Sequence, residues 1–393
     1  MTTATSGHRP ERFAQLPLRV TNVLEQTLAA QRLVGAVVLI AHHGELVYHQ
    51  AAGFADRESQ RLMREDALFR LASVSKLIVS SVAMRLIAQG QLALDEDIRR
   101  WLPAFRPRLP DGQAPSIRVR QLLSHTAGLG YRFFEPDDQG PYALAGVSDG
   151  MDRSGISLSE NLRRLATVPL LYSPGSAWGY SLAVDVLGAI VERVCDLPLA
   201  DAVKTLLTEP LGMVDSGFYT RDAHRLATPY VNDFPLPHPL AEGETVPAFD
   251  ETIGVTYSPA RILDPTAFPS GGAGMVGSAA DILRLLEALR SGDALLPAAW
   301  VDEMGRDQTG GMSLPAAPGF GFGLGFSVLR DPIAAASPES VGTWRWGGAY
   351  GHSWFVDRAA GLSVVALTNT LYEGMSGAFV TALRDAVYGG NPS

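Results

Sequence analysis

The stretch that decides the fold is Leu71-Ala72-Ser73-Val74-Ser75-Lys76-Leu77. It opens a run from Ser73 to Gln89 in which apolar residues recur every three to four positions, and this pattern predicts a buried helix. Gly90 follows at the position where a left-handed residue commonly ends a helix. Such a helix places Ser73 in its first turn and Lys76 one turn later, so the hydroxyl and the amine can meet on one face.

Lysine is rare in this chain, which makes the lysine of this stretch informative. Lys76 and Lys204 are the only lysines among the 32 basic residues, and all the others are arginine. Arginine cannot lose its proton in a protein, whereas burial favours the neutral form of a lysine amine. A neutral amine can accept the proton of a serine hydroxyl. We therefore predict that Ser73 is a nucleophile and Lys76 its base, although a chance Ser-x-x-Lys spacing is an alternative.

Length and composition exclude several classes of protein. The chain has 393 residues, 46% hydrophobic and 19% charged, which indicates one large or two interlocked globular domains. The net charge of -9 argues against a nucleic-acid partner, and no apolar run approaches the ~18 residues that a membrane span needs. Cys195 is the only cysteine and is expected to pack inertly. With no visible secretory signal at the start, a cytoplasmic location is predicted.

Strand patterns concentrate at the two ends of the chain, with helices and loops between them. The predicted strands are Gly35–Ala41, Glu45–Ala52, Gly323–Leu329, Thr343–Trp346, Ser353–Asp357 and Leu362–Thr368. This order predicts an α+β fold in which an antiparallel sheet flanked by helices uses both chain ends, residues 1–72 and 275–393. Residues 73–274 are predicted to form an inserted, mainly helical domain. Within it, the proline-rich segment 222–265 is expected to be a long surface excursion.

A second serine motif competes with Ser73. Gly146-Val147-Ser148-Asp149-Gly150 matches the G-x-S-x-G turn that carries the nucleophile of α/β-hydrolases. That turn needs a buried strand before it and a helix after it, and both flanking sequences here are typical of loops. We therefore interpret residues 146–150 as a plain turn.

Four motifs, taken together, resemble those of a known family. Their order and spacing resemble the family VIII carboxylesterases of the serine β-lactamase and penicillin-binding-protein superfamily, with class C β-lactamases as relatives. The motifs are Ser73-Val74-Ser75-Lys76, Leu122-Leu123-Ser124-His125-Thr126-Ala127-Gly128-Leu129, Tyr180-Ser181-Leu182 and Trp346-Gly347-Gly348. The resemblance spans about residues 34 to 388 and implies a β-lactamase/transpeptidase-like fold, in agreement with the strand pattern.

The resemblance also implies roles for individual residues. Ser73 would be the nucleophile and Lys76 its hydrogen-bonded base. Tyr180, which sequence chemistry alone hardly distinguishes from a packing tyrosine, would share proton transfer and protonate the departing alcohol. The backbone N–H groups of Ser73 and Ala349 would form the oxyanion hole.

The predicted substrate-binding residues follow from the same resemblance. They are Tyr131 at the pocket rim and Trp346, Gly347 and Gly348 on the strand that lines the site. His352 and Trp354 follow on or near that strand and are predicted to be a structural and a core residue.

Two departures from the family pattern bear on the substrate. Leu182 stands where β-lactamases have asparagine, and Trp346 stands where they have the lysine of Lys-Thr-Gly. An amide and a cation are lost and two apolar groups gained, which favours a neutral ester over an anionic antibiotic. We therefore predict hydrolysis of short-chain acyl esters through an acyl-Ser73 intermediate.

The rival functions share the same acylation chemistry. They are β-lactam or D-amino-acid peptide hydrolysis, and a penicillin-binding-like sensor that acylates without turnover. A small-molecule ester is the predicted partner, with no cofactor, metal, nucleic acid or membrane. The sequence leaves the oligomeric state open.

Overall fold

The computed structural model describes residues 14–292, 294–315 and 317–389. The helices are α1 (Leu16–Ala29), α2 (Ser75–Ala88), α3 (Val119–Leu123), α4 (Pro141–Leu144), α5 (Leu158–Leu165), α6 (Ala183–Cys195), α7 (Leu199–Val203), α8 (Ala279–Ser291), α9 (Ala298–Gly305), α10 (Glu373–Ser376) and α11 (Ala378–Tyr388). The strands are β1 (Gly35–His42), β2 (Glu45–Asp56), β3 (Arg61–Leu62), β4 (Phe69–Arg70), β5 (Tyr230–Val231), β6 (His238–Pro239), β7 (Thr245–Val246), β8 (Val255–Thr256), β9 (Val276–Gly277), β10 (Phe320–Phe322), β11 (Ser327–Leu329), β12 (Trp344–Gly348), β13 (His352–Asp357) and β14 (Leu362–Thr368).

Eight strands form one sheet that joins the two ends of the chain. Its order is β10-β11-β12-β13-β14-β1-β2-β3, and every neighbouring pair is antiparallel. The join lies between β14 and β1, where Ala36 faces Thr368 and His42 faces Leu362. The predicted α+β architecture, with an antiparallel sheet built from both chain ends, is confirmed.

Both faces of the central strands are buried, which explains their almost continuous apolar sequence. In β1, Val38 and Ile40 belong to the cluster that packs against α1 and α11. Val37 and Leu39 point to the other face and belong to the core shared with α2 and α8. Alternation along the strand therefore separates two hydrophobic layers, one on each side of the sheet.

Helix α2 is the first helix of residues 73–274 and is almost completely buried. Of its residues only Arg85 and Ala88 are not buried, and Gly90 follows the helix with φ of +73°, as predicted. The chain enters and leaves this region side by side, because β4 pairs with β9. The domain division at residues 72/73 and 274/275 stays a prediction.

Two details of the fold differ from the sequence prediction. The stretch 323–329 is not one strand, because β10 and β11 form a tight hairpin around Gly325, whose φ is +110°. The segment 222–265 is not a simple surface excursion: it contains β5 to β8 and the fully buried Tyr230 and Tyr257. Prolines interrupt its periodicity, so its buried positions carry no regular pattern.

The helices are also short, at 14 residues or fewer. In the three described ranges, none is both long and apolar enough to cross a membrane. Over the same residues, no group of three or more His, Cys, Asp or Glu side chains is arranged to hold a metal ion.

Candidate active site

Ser73 lies on a strained turn between β4 and α2. Ala72 has φ of +44°, a left-handed conformation that costs a non-glycine residue about 1 kcal/mol or more. Residues 72–74 form a 3₁₀ turn, and α2 continues from Ser75. Strain of this kind persists where surrounding contacts fix the backbone, as at active sites. Here the imidazole Nε2 of His352 lies 2.8 Å from the carbonyl oxygen of Arg70, two residues before Ala72.

Two side chains, those of Lys76 and Tyr180, contact the hydroxyl of Ser73. The amine Nζ of Lys76 lies 3.2 Å from Ser73 Oγ, and the phenol oxygen of Tyr180 lies 2.6 Å from the same atom. The amine also sits over the Tyr180 ring, 4.6 Å from its centroid. The structure therefore brings together the three residues that the sequence predicts as nucleophile, base and proton donor.

Lys76 is enclosed, with 1% of its surface exposed. Its amine donates a hydrogen bond of 2.7 Å to the carbonyl of Gly272, and the Tyr131 ring centroid is 5.4 Å away. A β-carbon at Gly272 would lie 2.5 Å from a carboxyl oxygen of Asp185 and 3.4 Å from the Lys76 amine. Only glycine fits there, and burial raises the pKa of the Asp185 carboxyl.

His125 supports the tyrosine of this group. It belongs to the motif at residues 122–129, and its ring centroid lies 5.0 Å from that of Tyr180. Its Nδ1 lies 3.2 Å from Ser181 Oγ, next to Tyr180 in the chain. Burial lowers the pKa of His125 well below its ordinary value, so the ring is neutral. Its role could not be predicted from the motif alone, because the contact with Tyr180 joins residues 55 positions apart.

The end of β12 lies directly against the Ser73 turn. A β-carbon on Gly348 would lie 2.4 Å from the carbonyl oxygen of Leu71 and 3.2 Å from the Val74 side chain, so only glycine allows this approach. The next residue, Ala349, lines the cavity in front of Ser73. Within the described residues its N–H has no hydrogen-bond acceptor, which leaves this donor available.

A large apolar cavity adjoins Ser73. Its volume is about 760 Å³, in the upper part of the range of about 300–1,000 Å³ found for ligand pockets. Tyr131 is 3% exposed and so is a wall of the cavity rather than its rim, and it stacks on Phe133 at 4.5 Å. Trp346 and Gly347 also line the cavity, and the Trp346 ring lies 5.3 Å from that of Tyr180.

Two of the motif residues, Gly348 and Leu182, and the nearby His352 do not line the cavity. Gly348 packs on the Ser73 turn, and Leu182 is completely buried in the core and is not part of the cavity wall. Leu182 therefore removes an amide but adds no apolar surface to the pocket. His352 is buried and bonded to the backbone, as predicted for a structural residue. Trp354, predicted to be a core residue, is 2% exposed but also contributes to the cavity wall.

Comparison with known proteins agrees with this arrangement. The Beta-lactamase family model matches residues 20–388. The chain belongs to the β-lactamase family. It is 53% identical over 376 residues to Esterase EstB of Burkholderia gladioli, which covers 95% of this chain and 96% of the relative. It is also 28% identical over 369 residues to a lovastatin esterase of Penicillium rubens, covering 83% of this chain and 86% of that one.

A solved structure extends the likeness to three dimensions. EstCE1, described as a hydrolase with promiscuous acyltransferase activity, matches with a TM-score of 0.94 and 46% identity. The match covers 96% of this chain and all of the other. The β-lactamase/transpeptidase-like fold and the resemblance to esterases of the β-lactamase and penicillin-binding-protein superfamily are confirmed.

Several residues of the cavity wall lie in segments that were not predicted to belong to the site. Ala248, Phe249 and Val255 lie in the segment around β7 and β8, and the Phe249 ring is 5.3 Å from that of Phe134. Tyr372 and Met375 come from the start of α10. None of them belongs to a motif, and only the folded chain brings them to the site.

The competing serine lies in a different setting. No strand precedes residues 146–150 and no helix follows them directly, so the α/β-hydrolase turn is absent. Ser148 is 3% exposed, and its hydroxyl donates to the carboxylate of Asp152. Asn161 binds both backbone polar groups of Ser148, at 2.8 and 2.9 Å. The interpretation of this stretch as a turn is confirmed.

Proposed function

We propose that this protein hydrolyses carboxylic esters through a covalent acyl intermediate on Ser73. The observation that carries the proposal is the position of Ser73 Oγ, within 3.2 Å of the Lys76 amine and 2.6 Å of the Tyr180 hydroxyl, at the wall of an apolar cavity. The relatives EstB and EstCE1, described as an esterase and a hydrolase, support ester hydrolysis as the reaction.

In the acylation step, Ser73 Oγ attacks the carbonyl carbon of the ester. Its proton passes to the Lys76–Tyr180 pair, which acts as the base. Negative charge develops on the carbonyl oxygen, and the N–H groups of Ser73 and Ala349 stabilise it. In a serine protease of a different fold, removal of one such donor lowers kcat by about 10²–10³-fold.

Collapse of this intermediate breaks the bond to the alcohol oxygen. Tyr180, hydrogen-bonded to the nucleophile, donates the proton that the departing alcohol requires. A water molecule then attacks the acyl carbon and gives its proton to the same pair. Ser73 leaves with a proton returned to its oxygen, so the enzyme is restored and a carboxylic acid is released.

The proposed substrate is a neutral small-molecule ester, with short acyl chains as the simplest case. Among the residues that line the cavity, Arg345 is the only lysine or arginine, and Glu339 binds it at 2.5 Å. A substrate carboxylate would therefore find no unpaired cation there. The aromatic walls favour apolar groups instead. The cytoplasmic location stays a prediction.

A comparison of substrates tests this function. We expect faster turnover of p-nitrophenyl butyrate than of a chromogenic cephalosporin. The opposite order would replace the proposal by β-lactam hydrolysis, which uses the same acylation chemistry. A single burst of p-nitrophenol without steady turnover would replace it by a sensor that acylates once.

A further inference from the structure

The cavity at Ser73 continues to the other side of the sheet. Val364 and Val365 are neighbours in β14 and so point to opposite faces. Val365 belongs to the core shared with α2, whereas Val364 belongs to the layer under α1 and α11. Val364 nevertheless lines the same cavity as Ser73. The cavity therefore has a second part, the rear chamber, which is lined by Phe355, Val364, Val380 and Leu383.

The two parts meet at the free edge of β12. Strand β11 pairs with β12 only at Trp344 and Arg345, so the edge from Trp346 to Gly348 has no partner strand on that side. A glycine within a strand often marks a close approach of another group. A β-carbon on Gly347 would lie 2.9 Å from Cγ of Met375, so this methionine packs against the bare backbone.

Met375 is therefore the side chain that stands between the Ser73 part and the rear chamber. It is partly exposed and lines the cavity itself. Methionine is unbranched and has three rotatable bonds, so it adapts its shape to a neighbouring group at little cost.

The rear chamber suits a neutral apolar chain. Phe355, Val364 and Leu383 are 6%, 1% and 2% exposed and present only carbon to the space. Two polar residues, Arg345 and Ser353, also line the cavity on this face of the sheet. Arg345 is paired with Glu339 at 2.5 Å and its guanidinium lies 6.0 Å from the Phe355 ring centroid, although its Nε has no hydrogen-bond partner among the described residues. Each methylene buried in such a site strengthens binding about fourfold.

We propose that the rear chamber binds an unbranched hydrocarbon chain of the substrate, so that long-chain esters are substrates in addition to short ones. This inference rests on the proposed ester hydrolysis at Ser73. The chain belongs either to the acid or to the alcohol, and the two cases give the same apolar chemistry in the chamber.

The variant Val380→Trp tests the inference. Val380 lies on α11 and is partly buried. A tryptophan at this position would fill the rear chamber, on the side of the sheet covered by α1 and α11. Thr381→Trp is the matched control, because Thr381 is the next residue on the same helix and is exposed. Both variants and the wild type are assayed on p-nitrophenyl acetate, p-nitrophenyl decanoate and decyl acetate.

We expect Val380→Trp to lose at least tenfold in kcat/KM on one of the two long esters and less than twofold on the acetate. The ester affected identifies whether the acid or the alcohol occupies the chamber. Thr381→Trp should match the wild type on all three. The inference is overturned if Val380→Trp keeps both long esters, if both variants lose them equally, or if the wild type cleaves only the acetate.

A binding measurement separates this inference from the proposed reaction. In a Ser73→Ala background, decyl acetate should bind measurably by calorimetry, and adding Val380→Trp should weaken binding at least tenfold. Failure of the wild type on every ester, with this difference in binding intact, would contradict the reaction but not the chamber. Equal binding of decyl acetate to Ser73→Ala and to the Ser73→Ala, Val380→Trp double variant would contradict the proposed role of the chamber, but not ester hydrolysis at Ser73.

Discussion

Two serines of the molecule each lie in a sequence motif typical of a nucleophile, but their surroundings in the structure are opposite. The hydroxyl of each serine contacts a titratable side chain: Lys76 in the case of Ser73, and Asp152 in the case of Ser148. Ser73 adjoins a cavity, and its partners are an amine and a phenol that can exchange protons with it. Ser148 is closed off, and its partner Asp152 is an acceptor fixed in a turn.

The difference shows what a nucleophile needs beyond a motif. A reactive hydroxyl must touch both a base and a space that a substrate can enter. The region of Ser148 instead holds backbone in place: Asp149 accepts the N–H groups of Arg132 and Phe133, at 2.9 and 3.1 Å. These residues follow Tyr131, so this region fixes the aromatic wall of the cavity that Ser73 faces.

The largest effect is expected from removing one hydroxyl or the other. Ser73→Ala should lower kcat for p-nitrophenyl butyrate by about 10⁴-fold or more, because no acyl intermediate can form. Ser148→Ala, its matched control, should leave kcat within threefold and lower the melting temperature, because a buried hydrogen bond is lost. Steady-state kinetics and thermal unfolding measure both. If Ser148→Ala were inactive and Ser73→Ala active, Ser148 and not Ser73 would be the nucleophile.

The next effect concerns the amine. Lys76→Arg should lower kcat/KM by about 10²–10⁴-fold, close to Lys76→Ala, because arginine keeps the charge but cannot accept a proton. Lys204→Arg is the control, since the only other lysine has a side chain that is 64% exposed and pairs with Glu209. Activity of Lys76→Arg near that of Lys204→Arg would show that only the charge matters.

A smaller effect is expected at the phenol. Tyr180→Phe keeps the ring contacts to Trp346 and His125 but removes the proton donor for the alcohol. We expect kcat/KM for alkyl esters to fall by about 10²-fold. The fall in kcat/KM should be smaller for p-nitrophenyl esters, because nitrophenolate departs without protonation. Equal losses on both classes of ester would assign Tyr180 to the acylation base alone.

The smallest effect on activity, and a distinct one on stability, is expected at Asp149. Burial raises the pKa of this carboxyl from 3.8 to about 7 in the folded protein. The folded state therefore holds this proton more tightly than the unfolded state, and the contribution to stability is full below pH 3.8 and declines as pH rises towards 7. Asp149→Asn lacks this titration.

Melting temperatures of both proteins between pH 4 and 8 test this expectation. The wild-type value minus the Asp149→Asn value should fall across that range. A constant difference would mean that Asp149 does not titrate there, and the turn at residues 146–150 would hold the cavity wall equally at every pH.

The sequence predicted the parts of this molecule whose signals are local. The spacing of Ser73 and Lys76 follows from helix geometry, and the hairpins near residues 35–56 and 352–368 follow from alternating apolar residues. The position of Tyr180 needed the family resemblance, because nothing in its neighbourhood distinguishes it from a packing tyrosine.

Other features could not be predicted, because they depend on contacts between distant parts of the chain. Phe249 and Met375 reach the cavity from segments without periodicity or motif. Leu182 was counted as an apolar group gained relative to β-lactamases, but it precedes α6 and is buried in the core, away from the cavity wall. The rear chamber exists because β11 is shorter than β12, a difference in pairing that no residue pattern records.

The contrast between the two lysines has a practical consequence for attaching this protein to a surface. Of the two side-chain amines, the one at Lys76 is enclosed and the one at Lys204 reaches solvent. Among the lysines, reagents that couple to primary amines would therefore modify Lys204 and leave the Lys76 amine unmodified. Apart from coupling at the α-amino group, immobilisation through side-chain amines would therefore attach the protein at one position and keep the Lys76 amine free.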